Sequence, residues 1–188
     1  MTTTSSPIDE ARDLPREPTA PWIRVLAIIA VAVWLAVVIW QFMVLPDRVP
    51  THFDGSGRAD GWSSKNGALA FSVLIPLLCV IPLPSLARLV LRWPQAINAP
   101  NRDWWITSGP RLRRFERLMR EDLWLITVLT LALLVAIQVG ITMTARAEAD
   151  SMANGVLFGS LAVFGVGLFA VLARMYAGGR YAEQPDLV

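Results

Sequence analysis

The run WIRVLAIIAVAVWLAVVIWQFMVL, residues 22–45, decides the fold class. It carries one charge, Arg24, at its very edge. Twenty-four residues at about 1.5 Å each reach ~36 Å, enough to cross a hydrocarbon core of about 30 Å with some tilt. Trp22 and Trp40 sit near its ends, where membrane-interface aromatics belong. The run is too long for a signal-peptide core and has no small-residue cleavage site directly behind it, so it reads as a retained anchor. Residues 1–21 in front of it hold four Pro and mixed charge, and are expected to be a disordered tail.

Working outward, three more apolar stretches follow: 67–92, 123–145 and 155–177. Pro76, Pro82 and Pro84 interrupt the second. Each removes a backbone donor and crowds the carbonyl four residues back, so a kink or break near Pro82-Leu83-Pro84 is expected. Glu121 and Asp122 precede the third, where carboxylates suit the positive end of a helix. Gly155 and Gly159 in the fourth suit close helix packing. Ser72, Thr127, Thr130, Gln138 and Ser160 are spaced to hydrogen-bond between helices. The connection 93–120 ends in PRLRRFERLMREDLW. Its Leu112, Phe115, Leu118 and Met119 form one helical stripe, with Arg111, Arg113, Arg114, Arg117 and Arg120 as the basic complement. This predicts a short amphipathic helix lying against anionic headgroups. The expectation is an all-α polytopic membrane protein: four transmembrane helices in a domain over 22–177, a short basic amphipathic helix before the third, and a polar tail at 178–188.

Composition agrees. Of 188 residues, 54% are hydrophobic and 17% charged, against about 25% charged in an average soluble domain, and this excludes a disordered chain. The basic residues are 16 Arg and Lys65, with a net charge of +2. The Arg stripe is short and pinned to a membrane, so no nucleic-acid partner is expected. Cys79 is the single cysteine; it forms no intrachain disulfide and, in an apolar run, is expected to be unreactive. Thirteen Lys and Arg flank one side of the four spans and four flank the other. The bias predicts both termini and the 93–120 connection in the cytoplasm, with the loop 46–66 outside.

That loop reads Leu45-Pro46-Asp47-Arg48-Val49-Pro50-Thr51-His52-Phe53-Asp54-Gly55-Ser56-Gly57-Arg58-Ala59-Asp60-Gly61-Trp62-Ser63-Ser64-Lys65. Pro46 and Pro50 stiffen it, Gly55, Gly57 and Gly61 supply turns, and His52, Asp54, Asp60 and Lys65 are polar groups that a rigid loop can converge. The stretch resembles the signature of the bacterial membrane family called domain of unknown function 1648, which includes SdpI-like proteins: L-P-x-x-[IV]-P-x-H-[FW]-[DN]-x-x-G-x-x-D-x-x-x-x-K after an N-terminal span. In these terms the motif residues are Pro46, Pro50, His52, Phe53, Asp54, Gly57, Asp60 and Lys65. A second stretch, Ile97-Asn98-Ala99-Pro100-Asn101-Arg102-Asp103-Trp104-Trp105, resembles the family's N-x-P-N-[KR]-[DE]-[YW]-W segment, with motif residues Asn98, Pro100, Asn101, Asp103, Trp104 and Trp105. The resemblance covers about residues 25–125. It implies a small helical bundle in the bacterial cytoplasmic membrane, and its best-known branch implies immunity to a secreted toxin and signal transduction.

Three readings of the loop stand beside one another. It is a folded lid whose carboxylates and Lys65 cap helix ends; or a site for an extracytoplasmic peptide or small ligand centred on His52, Asp54, Asp60 and Trp62; or a metal site built from His52, Asp54 and Asp60. Against the last, Arg58 stands where a calcium loop needs an oxygen ligand. Asn101, Asp103, Trp104 and Trp105 either anchor the connection at the interface or dock a cytoplasmic or membrane protein partner. No G-x-S-x-G or comparable nucleophile setting surrounds His52, so a non-enzymatic protein without cofactor or metal is expected. Sensing, immunity or regulation leads; an accessory subunit of an envelope or transporter complex follows; a small transporter is third.

Overall fold

The computed structural model describes residues 6–187; residues 1–5 and 188 lie outside the described residues, as does the side chain of Cys79. Six α-helices and one two-stranded sheet are seen among them: α1 Pro7–Asp13, α2 Pro21–Val44, β1 Arg48–Phe53, β2 Ala59–Ser64, α3 Lys65–Ile75, α4 Arg102–Trp105, α5 Gly109–Arg146 and α6 Asn154–Tyr176. Four helical segments are long and apolar enough to cross a membrane: Pro21–Val44, Lys65–Leu91, Gly109–Arg146 and Asn154–Tyr176. Their outward residues are apolar, as lipid requires. Ile28, Ile39, Phe42 and Met43 on α2, and Val163, Val166 and Phe169 on α6, are all exposed. The chain is a multi-pass membrane protein.

The second span departs from helix earlier than its Pro82-Leu83-Pro84 triplet suggests. α3 ends at Ile75, Pro76–Val80 form a π-helical turn, and Leu83–Leu91 wind as a 3-10 helix. Pro76 cannot donate to the carbonyl four residues back, so the ladder slips at the first proline; the Ile81 amide bonds the Pro76 carbonyl instead.

Two compact units divide the chain. The first holds residues up to Arg24, Leu83–Ile126 and Phe169–Val188; the second holds Val25–Pro82 and Thr127–Leu168.

The first unit adds three features to the sequence reading. Among the described residues before α2, Ser6 caps α1 through the Asp9 amide, and Ala11 is fully buried in a core with Leu91, Trp105, Leu112, Phe115, Leu118 and Tyr181, where a disordered tail was expected. The polar tail after α6 joins the same core through Tyr181. Residues 111–120 are not a separate helix on the membrane. They are continuous with the third span in the 38-residue α5. At about 1.5 Å per residue α5 is roughly 57 Å long, nearly twice a hydrocarbon core, so its charged first turns extend beyond the apolar part.

In the second unit a polar seam joins the helices. Gln41 on α2 donates through Nε2 to the Gln138 carbonyl (3.3 Å) and to Thr142 Oγ1 (3.0 Å). Gln138 Nε2 donates to the Ser72 carbonyl at 3.2 Å, which also accepts Trp34 Nε1 at 2.9 Å. Thr127 reaches the Val80 carbonyl, whereas Ser160 bonds within its own helix. Close approach of α5 and α6 does not use Gly155 or Gly159, which have open space beside them. It uses Gly140 and Gly167. A Cβ at Gly140 would sit 2.8 Å from Val156 Cγ1, and one at Gly167 would sit 2.6 Å from Leu129 Cδ2.

Candidate functional site

The loop 46–66 folds as a β-hairpin in the second unit. β1 and β2 pair antiparallel with Arg48 opposite Ser64, Pro50 opposite Trp62, His52 opposite Gly61 and Phe53 opposite Ala59. β1 does not alternate cleanly: Val49 and Pro50 are both buried and the register shifts between Pro50 and His52, so with a proline inside it the segment carries no strand period to read in sequence. Ser64 caps α3 through the Gly67 amide, and the Lys65 amide bonds the Asp47 carbonyl, so the hairpin is clamped at its base.

The turn is built by Asp54. Its Oδ1 accepts from the Ser56 amide (2.8 Å), the Ser56 hydroxyl (2.6 Å) and the Arg58 amide (3.0 Å). Those bonds, the Ser56 hydroxyl first and then the Arg58 and Ser56 amides, hold the Asp54 carboxyl below its usual range. Gly57 has φ +83°, and an added Cβ would meet Asn154 Oδ1 at 3.2 Å and the Met152 carbonyl at 3.3 Å. The tight approach is used: the Met152 amide bonds the Gly57 carbonyl and the Ala59 amide bonds the Asp150 carbonyl, both at 2.9 Å. The hairpin tip thereby docks on the turn between α5 and α6.

His52 Nδ1 lies 2.5 Å from Asp60 Oδ1, with both side chains largely exposed. Gly61 makes room for this pair, since a Cβ there would sit 2.9 Å from His52 Cβ. Asp54 is committed to its own turn and is not brought to the His52–Asp60 pair by any bond. No cluster of three His, Cys, Asp or Glu spaced to hold a metal occurs among the described residues. Lys65 lies over the Phe42 ring at 5.7 Å, and Pro50 is buried.

Beside the hairpin opens a cleft of about 620 Å³, lined among others by Pro46, Arg48, Trp62, Arg146, Glu148 and Asp150. Arg48 stacks on Trp62 at 4.6 Å. Arg146, Glu148 and Asp150 are exposed, and none of the four charged residues has an ion-pair partner among the described residues. Glu148 holds φ +50°, a left-handed conformation costing about 1–3 kcal/mol in a non-glycine residue. Residues 146–154 read as a tight turn in sequence, so Arg146, Glu148 and Asp150 were missed; the double contact of the hairpin with the turn has no local signal.

The second motif, residues 97–105, has a different fate in the first unit. Asn101, at φ 54°, starts α4 and donates to the Tyr181 carbonyl at 3.2 Å, which Trp105 Nε1 also reaches at 3.1 Å. Trp105 is fully buried, 5.5 Å from Phe115, while Trp104 packs edge-on against it and carries Arg111 at 4.1 Å. The motif therefore builds the core of its unit, correcting the expectation of an interface anchor for Trp105. Asn98, Pro100 and Asp103 are exposed.

The five arginines read as lipid-facing are largely turned inward. Arg120 is 3% exposed and bonds Glu116 at 2.5 Å; Arg114 and Arg117 share Glu17 at 2.8 and 3.1 Å; Arg113 donates to the Arg12 and Leu14 carbonyls. Glu121 and Asp122, mid-helix rather than in a first turn, hold Arg180 at 2.7 and 3.0 Å, and Asp122 also takes Arg174 and the Tyr181 hydroxyl. Burial works against the Arg180 charge, but these carboxylates outweigh it and raise its pKa; burial and Asp122 together push the Tyr181 phenol well above its ordinary range. The acceptors of Arg113, Arg114 and Arg117 lie about a hundred residues away in the chain, which is why this part of the stripe looked free in sequence.

No curated protein and no solved structure matches the chain. The second motif, 97–105, lies beyond the region that a family model recognises. Residues 27–75, which carry α2, the hairpin and α3, match the family described as domain of unknown function (DUF1648).

Proposed function

We propose that the protein is a non-enzymatic sensor, immunity or regulatory protein of the cytoplasmic membrane, with its hairpin facing outside and binding a peptide or small ligand there. One observation supports this most: the cleft beside the family motif sets an exposed Trp62 among Arg48, Arg146, Glu148 and Asp150, charges without an ion-pair partner among the described residues. Aromatic and arginine side chains at a concave surface are the groups that anchor peptides. A structural lid would pair or withdraw such charges.

Topology and function are tested together. Cys79 is replaced, and Ser56→Cys and Ser108→Cys are labelled in intact cells with a membrane-impermeant maleimide. Labelling at position 56 alone is expected; labelling at 108 alone overturns the orientation and makes the ligand intracellular. Trp62→Ala and Asp60→Ala should then abolish protection of a deletion strain against secreted antimicrobial peptides while membrane abundance stays near wild type. Loss of abundance instead places both residues in the folding of the hairpin.

An accessory-subunit reading is favoured by α6, where Val171 is its buried residue and Val163, Val166 and Phe169 face outward. Purification in mild detergent decides: a stoichiometric larger membrane partner supports it, and a lone monomer counts against it.

A further inference from the structure

The first unit contains a cavity of about 630 Å³ walled by five arginines, Arg12, Arg16, Arg88, Arg92 and Arg113, with Glu116 as its one carboxylate. That carboxylate is already shared. Its Oε1 bonds Arg120 at 2.5 Å, with Arg16 at 3.8 Å, and its Oε2 has Arg113 at 3.9 Å. Arg88 and Arg92, both exposed, have no carboxylate partner among the described residues. Arg113 presents a buried Nε–H without an acceptor. Its other nitrogens hold the Arg12 and Leu14 carbonyls, which fixes the chain segment carrying Arg12 and Arg16 against the cavity.

The opposite wall is the 3-10 helix Leu83–Leu91. Residues three apart eclipse in such a helix, so Ser85, Arg88 and Leu91 share one face, and all three line the cavity. Leu86 and Leu89 add exposed apolar surface beside the arginines. Elsewhere in this unit Arg114, Arg117, Arg174 and Arg180 are matched to Glu17, Asp186, Asp122 and Glu121. Of the cavity's own arginines, Arg12 has Asp9 at 3.7 Å and Arg16 and Arg113 share Glu116, so two carboxylates serve five guanidinium groups among the described residues.

We propose that this arginine-walled cavity is a binding site for a phosphate-bearing anion, gripped by Arg12, Arg16, Arg88, Arg92 and Arg113. Guanidinium forks match phosphate oxygens in pairs, and several around one cavity suit a ligand with more than one charged oxygen. Burial and the nearby Arg120, Arg88 and Arg113 all act to lower the Arg16 pKa, which is the mark of a cation short of anions. The anion is either the headgroup of an acidic phospholipid, its acyl part against Leu86 and Leu89, or a free phosphate.

The test uses the full chain in nanodiscs of phosphatidylcholine, with and without one-third phosphatidylglycerol, and inorganic phosphate added to the former. Native mass spectrometry counts retained lipid, and thermal unfolding reads phosphate binding. Preferential retention of phosphatidylglycerol identifies the headgroup; a saturable rise in melting temperature with phosphate identifies the free anion. Either supports the site, and neither effect overturns it. Arg88→Gln and Arg92→Gln should each weaken the observed effect about fivefold. Arg88→Lys, which keeps the charge, should retain most of it. Without an anion, Arg88→Gln should melt no lower than wild type, because it removes repulsion rather than a bond; a lower melting temperature makes Arg88 structural and overturns the proposal. Arg146→Gln, in the other unit, should leave retention unchanged. An equal loss there reduces the effect to general surface charge and also overturns it.

Discussion

The two units handle charge in opposite ways. In the first, Asp122 lies fully buried beneath Arg174, Arg180 and Tyr181, and Glu116 lies buried beside Arg120. In the second, Arg146, Glu148 and Asp150 stand exposed in the cleft with Trp62 and have no ion-pair partner among the described residues. Buried ionic networks hold a structure in one arrangement, because each member left alone is an uncompensated charge. Exposed unpaired charges add little stability, so their presence in a cleft has to be understood by what they can meet from outside. The first unit is a built core with an arginine-walled cavity beside it, and the second is a clamped hairpin with a cleft of mixed charge.

The contrast breaks most visibly at Asp122. Asp122→Ala should cost about 3–5 kcal/mol, because two arginines and a phenol lose a buried acceptor together. Asp150→Ala in the hairpin cleft should cost no more than about 0.5 kcal/mol. Thermal unfolding in one detergent compares them, and equal losses would erase the distinction between the units. Trp105→Ala should cost about 3–5 kcal/mol, as a fully buried ring leaves a cavity beside Phe115. Trp62→Ala, roughly half exposed, should leave stability nearly unchanged and act on ligand binding alone.

Gly57→Ala tests the clamp. A side chain at φ +83° meeting the Met152 carbonyl at 3.3 Å should cost about 1–3 kcal/mol and speed hydrogen exchange at the Met152 amide. Unchanged exchange would mean the tip is not held by that contact. The smallest effect concerns pH. The folded Asp54 carboxyl lies below its unfolded value, so its contribution is present above the ordinary value of about 3.9 and is lost only as pH falls through the lower folded value. Asp54→Asn has no carboxyl to protonate and should remove the acid-induced loosening of the tip, and NMR titration of the Ser56 and Arg58 amides in both proteins checks this, with a wild-type midpoint expected below the ordinary value. A midpoint at or above the ordinary value would remove the Asp54 nest.

Much of the fold was legible in sequence for one reason. Hydropathy is a property each residue carries with it, so the run 22–45 and the blocks near 67, 123 and 155 mark their spans whatever they touch. The hairpin residues were legible as a motif, and the match over 27–75 contains them. Their strands were not, because β1 is six residues long, holds a proline and breaks its register between Pro50 and His52. Gly155 and Gly159 misled for the converse reason. Spacing along one helix shows which residues share a face, but not that another helix comes to it, and the approach is made at Gly140 and Gly167.

By itself, then, the chain determines four apolar spans, a Pro- and Gly-stiffened polar loop after the first, and an arginine stripe before the third. Only the tertiary structure decides what those arginines meet. Arg114 finds Glu17 97 residues away and Arg180 finds Asp122 58 residues away, so segments that look like free tails become the counter-charge of α5. Lipid solvation acts residue by residue, whereas ion pairing acts between partners that folding alone brings together.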